Sequence, residues 1–223
     1  MRHPGALLLL AVAAAMPAPA GAQSNAVAWT SCLRSPAKAT DVVADCTVVI
    51  ESERATPAER AAALNNRGAE LGFRGTGADQ ALRDLDRAIV LLPDTARLYN
   101  TRGTLRAAAG DTAGALADFG MAIRLDPQFA VAYARRGELL LAERRLDEAM
   151  RDLDEAIRLA PSYVHPLYNP YENRAAVREA RGDAAGAAAD RRMGGDKLAA
   201  AKPATASTPA VSGRRSWDPW MSP

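Results

Sequence analysis

The chain has 223 residues and a formal charge of +2, because 28 Lys and Arg nearly balance 26 Asp and Glu. This balance argues against nucleic acid or an anionic membrane as a partner, since neither would be attracted by so small a net charge. About 200 residues are enough to bury a substantial core.

Residues 1–22 have the pattern of a secretory signal peptide. A basic Arg2 precedes an apolar run from Ala6 to Met16, and the small residues Ala20-Gly21-Ala22 follow. The run is far shorter than the roughly 20 residues that span a bilayer, which argues against an uncleaved anchor. The composition, rich in Ala and Arg, is typical of a bacterium. We expect a mature chain from Gln23, without a membrane span, in the periplasm or released from the cell.

The two cysteines, Cys32 and Cys46, lie near this expected N-terminus. In an oxidising compartment such a pair usually forms a disulfide. Ser35 and Pro36 can cap and begin a helix that carries Cys46, whereas Cys32 would lie on the segment of chain leading into it. We expect a disulfide that staples a capping helix within residues 23–58. A redox-active pair is the alternative, but such pairs usually have Cys-x-x-Cys spacing.

The chain then repeats itself with a fixed period. The segments LDRAIVLLP, FGMAIRLDP and LDEAIRLAP end at Pro93, Pro127 and Pro161, and successive prolines are 34 residues apart. Gly103 and Gly137 recur in the same register. Such a period indicates stacked helix pairs, with small residues where two helices cross and a proline after the second helix.

Turn and cap residues predict where the helices begin and end. Gly110-Asp111 and Gly182-Asp183 each place a glycine at the end of one helix beside an aspartate that can cap the next. Thr56-Pro57-Ala58-Glu59 has the pattern of a capping box with proline in the first turn. The first unit should therefore begin at this segment.

These units resemble the tetratricopeptide repeat. The resemblance is carried by Arg102-Gly103, by Arg136-Gly137, by the spacing from Ala115 to Phe119, and by the AIRL segments before two of the prolines. It implies an all-α fold, a right-handed α-solenoid of antiparallel helix pairs over residues 59–198. About three repeats would be followed by a degenerate fourth without the closing proline, and an N-terminal helix would cap the other end.

The resemblance also implies a concave groove, lined by the first helix of each pair, that binds a peptide or a partner's helix. Helical spacing around the repeat glycines gives the candidate groove residues. They are Asn65, Asn66, Phe73, Arg97, Asn100, Thr101, Thr104, Arg135, Glu138, Leu141, Glu172 and Asn173. Amides, hydroxyls and arginines suit an extended backbone and a carboxylate; the alternative is that these are solvated positions on exposed helices. The five-residue clamp of chaperone-binding tetratricopeptide domains is matched only at Arg135.

Two segments stand apart from the repeats. Residues 161–173, PSYVHPLYNPYEN, form a longer connection that is either a recognition loop or a turn stiffened by packed tyrosines. Residues 199–223 are rich in Ala, Pro, Ser and Thr, so we expect disorder there. Trp217 and Trp220 in this tail form a docking motif, fold onto the groove, or reflect chance composition.

Little in the sequence points to catalysis. His165 is the one histidine of the expected mature chain, and no metal-ligand set or phosphate-binding loop has a recognisable spacing. We therefore predict a non-catalytic adaptor or assembly scaffold of the periplasm or cell envelope, without cofactor or metal, that binds a protein or peptide. The alternative is a structural component that self-associates through its tail and end caps. The sequence predicts neither the partner's identity nor the oligomeric state.

Overall fold

A computed structural model describes residues 20–33, 41–162 and 169–200. Throughout these ranges the regular structure is helical, and no strand occurs in them. The ten helices of these ranges are α1 (Ala20–Leu33), α2 (Val42–Glu51), α3 (Pro57–Arg74), α4 (Ala78–Leu91), α5 (Ala96–Ala108), α6 (Thr112–Leu125), α7 (Ala130–Ala142), α8 (Leu146–Leu159), α9 (Pro170–Ala180) and α10 (Ala184–Ala200).

The helices form a stack of antiparallel pairs. Helix α3 packs along α4, α5 along α6, α7 along α8 and α9 along α10. Each second helix also contacts the first helix of the next pair, and consecutive first helices contact one another, whereas the second helices described here do not. The first helices therefore lie on the inner side of the stack. The α-solenoid predicted from the repeats is confirmed.

Glycine occupies the points where paired helices cross. A Cβ atom on Gly103 would lie 2.9 Å from a ring carbon of Phe119, and one on Gly137 would lie 2.9 Å from Cγ of Leu153. Real Cβ atoms do not approach so closely, so a larger residue would push the helices apart. This is the role that the repeat pattern predicts for the glycines.

The predicted turns are also present. Gly110 and Gly182 both have a φ of 82°, the left-handed conformation that glycine adopts without steric cost. The side chains of Asp111 and Asp183 each accept a hydrogen bond from the backbone N–H three residues later, at 2.9 and 2.8 Å. The turn between α7 and α8 has Arg144 in the left-handed region instead, with a φ of 61°.

Helix α3 begins at the predicted capping box. The hydroxyl oxygen of Thr56 accepts a hydrogen bond from the N–H of Glu59 at 3.2 Å, and the Glu59 carboxylate accepts one from the Thr56 N–H at 2.9 Å. The bond from the Thr56 backbone is the main reason why the pKa of Glu59 is lower than usual. The indole N–H of Trp29 donates to the same carboxylate at 3.4 Å, which connects α1 to α3.

The N-terminal unit differs from the predicted single capping helix. Cys32 lies in α1, not on a segment leading into the first helix, and α2 begins at Val42 after an Asp41 cap. Helix α1 packs against both α2 and α3, so the unit is a helix pair that extends the stack. Ala28 and Cys32, one turn apart, are both buried on this helix.

The predicted disulfide between Cys32 and Cys46 is confirmed. Their Cα atoms are 4.9 Å apart, and both residues are buried. The bond joins α1 to α2.

The tyrosine-rich connection is partly helical. Helix α9 begins at Pro170, and Asn169 caps it by accepting a hydrogen bond from the Tyr171 N–H at 3.0 Å. Tyr171 is buried and donates its hydroxyl hydrogen to the carbonyl oxygen of Pro161 at 2.8 Å. For this tyrosine the structure favours the packed turn over a recognition loop.

The remaining predictions concern export and segments outside the repeats. No helix in the described ranges is long and apolar enough to cross a bilayer. Helix α1 runs across the predicted cleavage site before Gln23. The remaining predictions lie outside the described residues; they concern residues 1–19, Ser35, Pro36, Tyr163, His165, Tyr168, Trp217 and Trp220.

Candidate binding groove

The predicted groove residues lie on the first helices, which form the inner side of the stack, but their exposure differs. Asn65, Asn100 and Thr101 are buried, with 3, 8 and 5% of their surface exposed. Phe73, near the end of α3, is half exposed. The partly or fully exposed members are Asn66, Phe73, Arg97, Thr104, Arg135, Glu138, Leu141, Glu172 and Asn173.

Two buried amides of the inner helices keep an unused acceptor. Asn65 and Asn100 each lie three residues before a repeat glycine, and the Oδ1 atom of each is buried without a hydrogen-bond partner among the described residues. An acceptor left in this state costs about 1–3 kcal/mol. Helices α3 and α5 therefore carry equivalent unused acceptors below the surface of the groove.

The threonines of α5 also offer acceptors. The hydroxyl of Thr101 donates to the carbonyl oxygen of Arg97 at 3.0 Å, and that of Thr104 donates to the carbonyl oxygen of Asn100 at 2.9 Å. Each hydroxyl hydrogen is thus used within the helix, while the oxygen retains acceptor capacity. These side chains suit the N–H groups of an extended peptide better than its carbonyl groups.

Arg97 and Arg135 bring positive charge to α5 and α7. Burial lowers the pKa of the Arg97 guanidinium from its usual value. Arg135 donates to Glu138, one turn later on α7, at 3.4 Å. Both arginines also make interactions within the protein. A negatively charged ligand group would offset the desolvation of Arg97.

Other predicted residues make structural contacts. Asn66 donates to the carbonyl oxygen of Cys32 at 2.7 Å and so joins α3 to α1. Glu172 accepts a hydrogen bond from Arg191 of α10 at 3.1 Å, and Leu141 packs against the core. The central helices α5 and α7 therefore carry the residues best placed to bind.

A ladder of buried ion pairs, which was not predicted from the sequence, joins the two helices of each repeat. Four aspartates on the second helices are almost fully buried. Each accepts two hydrogen bonds from an arginine of the preceding first helix, with N–O distances from 2.6 to 2.9 Å. The pairs are Arg67 with Asp84, Arg102 with Asp118, Arg136 with Asp152 and Arg174 with Asp190.

A signal for this ladder was present in the repeats. In the three clear repeats the arginine directly precedes the glycine at the helix crossing, as Arg102 precedes Gly103. The aspartate directly precedes the large residue that faces this glycine, as Asp118 precedes Phe119. Both residues therefore recur with the repeat, on helices that pack together.

In the described part of the chain, no three His, Cys, Asp or Glu side chains come together as metal ligands would. No family model matches the chain, and no curated protein matches it.

Solved structures do match. The crystal structure of MamA aligns with a TM-score of 0.58 at 18% identity, over 71% of this chain and 88% of that one. The first tetratricopeptide domain of Spaghetti (RPAP3), bound to the HSP90 peptide SRMEEVD, aligns with a TM-score of 0.52 at 22% identity, over 56% of this chain and 98% of that domain.

The chain has the tetratricopeptide repeat fold. Its repeats are the pairs α3–α4, α5–α6 and α7–α8, followed by the degenerate pair α9–α10. YrrB, described as a tetratricopeptide protein with an unusual peptide-binding site, also aligns, with a TM-score of 0.53 at 17% identity over 71% of this chain and 77% of its own. At these identities the similarity concerns the fold.

Proposed function

We propose that this tetratricopeptide protein is a non-catalytic adaptor or assembly scaffold that binds an extended peptide or a partner's helix along α5 and α7. The observation that carries the proposal is that the inner helices α5 and α7 present partly exposed arginines together with a partly exposed hydroxyl oxygen that can accept a hydrogen bond. Arg97 and Arg135 supply the charge, and the hydroxyl oxygen of Thr104, whose hydrogen is used within the helix, supplies the acceptor.

The chemistry of these side chains matches a peptide. An extended backbone offers an N–H group to Thr104, and a carboxylate or a carbonyl oxygen to the arginines. A tetratricopeptide domain of RPAP3 is bound to a peptide, and YrrB has a peptide-binding site, which supports the same use of this fold here. No aromatic cluster marks a hot spot on the described inner helices, so we expect an affinity on the order of micromolar.

We also propose an extracytoplasmic location, with the bacterial periplasm as the compartment. The signal-like pattern of residues 1–22 supports export. The disulfide between Cys32 and Cys46 supports an oxidising compartment, because such bonds persist there and are rare in the cytosol.

Affinity purification with charge-reversed variants tests the adaptor proposal. Tagged wild type, Arg135→Glu and Arg87→Glu would be purified from cell-envelope extract, and bound proteins quantified by mass spectrometry. Arg87 is the matched control, an exposed arginine on the second helix α4. A discrete partner retained by Arg87→Glu and lost by Arg135→Glu supports the proposal. A partner lost equally from both variants, or copies of this chain as the main capture, contradicts it and favours self-association.

A further inference from the structure

The arginines of the buried ladder also contact the preceding helix pair. Three of them donate a hydrogen bond from Nη1 to a side-chain oxygen on the second helix of that pair. The contacts are Arg67 with Thr47 at 2.8 Å, Arg102 with Asp86 at 2.7 Å and Arg174 with Asp154 at 2.7 Å. The three acceptors hold equivalent places on α2, α4 and α8, each directly after the residue at the helix crossing. The series predicts an acceptor at residue 120.

Residue 120 is a glycine, so the junction between α6 and α7 lacks this acceptor. Arg136 keeps two hydrogen bonds to Asp152, from Nε and Nη2, but its Nη1 has no hydrogen-bond acceptor in the described ranges. A Cβ atom on Gly120 would lie 3.8 Å from this Nη1. The Arg136 side chain is 28% exposed, against 16% for Arg102 and Arg174. The missing acceptor leaves an N–H group that a ligand can reach.

A second arginine, Arg124, lies beside the same position, residue 120. Nη1 of Arg124 would lie 3.7 Å from the same Cβ position. In the next repeat the equivalent Arg158 forms two hydrogen bonds with Glu155, at 2.8 and 2.6 Å. The residue equivalent to this glutamate is Met121, whose sulfur, 3.4 Å from Arg124, is only a weak acceptor. LDEAIRL in α8 and FGMAIRL in α6 thus share the arginine, but α6 lacks both carboxylates.

The Arg136 side chain also lines an open cavity of about 270 Å³. Leu116 and Leu140 contribute apolar surface to it. Its other lining residues are Arg136, Arg145, Glu148, Arg151 and Asp152. Arg136 pairs with Asp152 and Arg145 with Glu148, so Arg151 leaves the lining with one excess positive charge.

We propose that the junction of α6 and α7 binds an acidic side chain of a partner protein. Its carboxylate accepts hydrogen bonds from Nη1 of Arg124 and of Arg136, in the space beside Gly120. A carboxylate fits because Asp86 and Asp154 place one at the equivalent point of two other junctions. Charge-assisted bonds from two guanidinium groups favour this ligand over a neutral one.

Apolar atoms next to the acidic side chain would pack on Leu116 and Leu140, which favours a protein over a small free anion. The site uses the second helix α6. It also uses Arg136 and Leu140 of the first helix α7, but none of the predicted groove residues.

Introducing carboxylates at residues 120 and 121 should give Arg124 and Arg136 partners within the chain and so weaken binding of the acidic ligand. The double substitution Gly120→Asp with Met121→Glu gives α6 the DEAIRL segment of α8. The matched control, Gly120→Ala with Met121→Gln, adds side chains without charge. A Cβ at residue 120 would make ordinary contacts of 3.7 and 3.8 Å, and both replacements of this glycine favour a helix, so both variants should fold.

Isothermal titration with an N-acetylated, C-amidated hexaglutamate peptide measures the binding. We expect saturable binding to the wild type and to the control, and a loss of about tenfold or more in the carboxylate-restored variant. Asp154→Gly with Glu155→Met should create a second, independent binding event, because Arg158 would lose Glu155 and Nη1 of Arg174 would lose Asp154. Arg87→Glu, at an exposed arginine of α4 that belongs to neither site, should bind the peptide as the wild type does.

Three results would overturn the proposal. One is the absence of saturable binding, and another is equal affinity of the restored and control variants. The third is acetate binding with the same affinity per carboxylate as the peptide, measured through the backbone amide shifts of residues 116–124. That result would identify a simple anion site and not one for a partner protein.

Discussion

The first helix pair, α1–α2, and the central repeats stabilise the crossing of their two helices in different ways. In the pair α5–α6, Gly103 allows close approach and Phe119 packs against it. In the pair α1–α2, Cys32 and Cys46 hold the equivalent places, and a covalent bond joins the helices. The α1–α2 pair, called the cap from here on, therefore uses a disulfide where the repeats use complementary side chains.

The residues just before these positions differ as well. Arg102 and Asp118 form a buried ion pair, whereas Ser31 and Asp45 stand in the equivalent places of the cap. One carboxylate oxygen of Asp45 is buried without a hydrogen-bond partner among the described residues. A repeat closed by side chains therefore needs no particular redox environment, whereas the cap does.

Breaking the ladder in a central repeat should have the largest effect. Asp118→Ala would leave Arg102 and Arg106 without the buried carboxylate that both contact, at distances from 2.7 to 2.9 Å. We expect the free energy of unfolding in urea to fall by about 3–5 kcal/mol. Asp196→Ala, at an exposed aspartate of α10, is the control and should change little. A loss below about 1 kcal/mol for Asp118→Ala would show that the ladder is dispensable.

Reduction of the disulfide should come next and should affect a different region. The bond between Cys32 and Cys46 closes a loop of about 15 residues, which contributes roughly 3 kcal/mol in the chain-entropy model. Hydrogen exchange after reduction should increase in α1 and α2, while α5 to α8 stay protected. Uniform loss of protection along the stack would contradict the division between cap and repeats.

The turn between α7 and α8 offers a smaller, stabilising change. Arg144 has a φ of 61°, where the turns at Gly110 and Gly182 have glycine with a φ of 82°. Because a side chain in this region is strained, Arg144→Gly should raise the free energy of unfolding by up to about 1 kcal/mol. Thermal unfolding would measure the gain. Unchanged or lower stability would show that contacts of the Arg144 side chain outweigh the strain.

The smallest expected effect depends on pH and concerns the junction of the cap with the first repeat. The pKa of Glu59 lies below its usual value, mainly because of the Thr56 backbone hydrogen bond. A lowered pKa stabilises the fold above the unfolded value, and this contribution is lost as pH falls through the folded pKa. The stability difference between wild type and Glu59→Gln should therefore vanish in acid. A difference that persists below the folded pKa would contradict this assignment.

Local signals account for the part of the fold that the sequence predicts. The capping box at Thr56, the turns at Gly110 and Gly182, and the crossing at Gly103 each depend on residues close in sequence or repeated at a fixed period. Helix α1 was missed because its segment AGAQSNAVAWTSCL has no clear apolar stripe, although alanine favours a helix.

The candidate sites depend on which residues of neighbouring helices lie opposite one another. Periodicity within one helix does not reveal this. Arg102 and Asp118 lie 16 residues apart, on different helices. The burial of Asn100 could not be predicted, because helical spacing around Gly103 places this residue on the inner side of α5 without showing whether its side chain is buried or exposed there. The absence of an acceptor at Gly120 becomes meaningful only beside the equivalent Asp86 and Asp154.

Photo-crosslinking in the cell tests the central claim most directly. A photoreactive residue would replace Thr104 on the inner helix α5 or, as the control, Arg87 on the second helix α4. We predict a discrete adduct with one partner from position 104, absent from position 87 and lost when Arg135→Glu is added. No adduct from position 104, or the same adducts from both positions, would contradict a binding role for the groove.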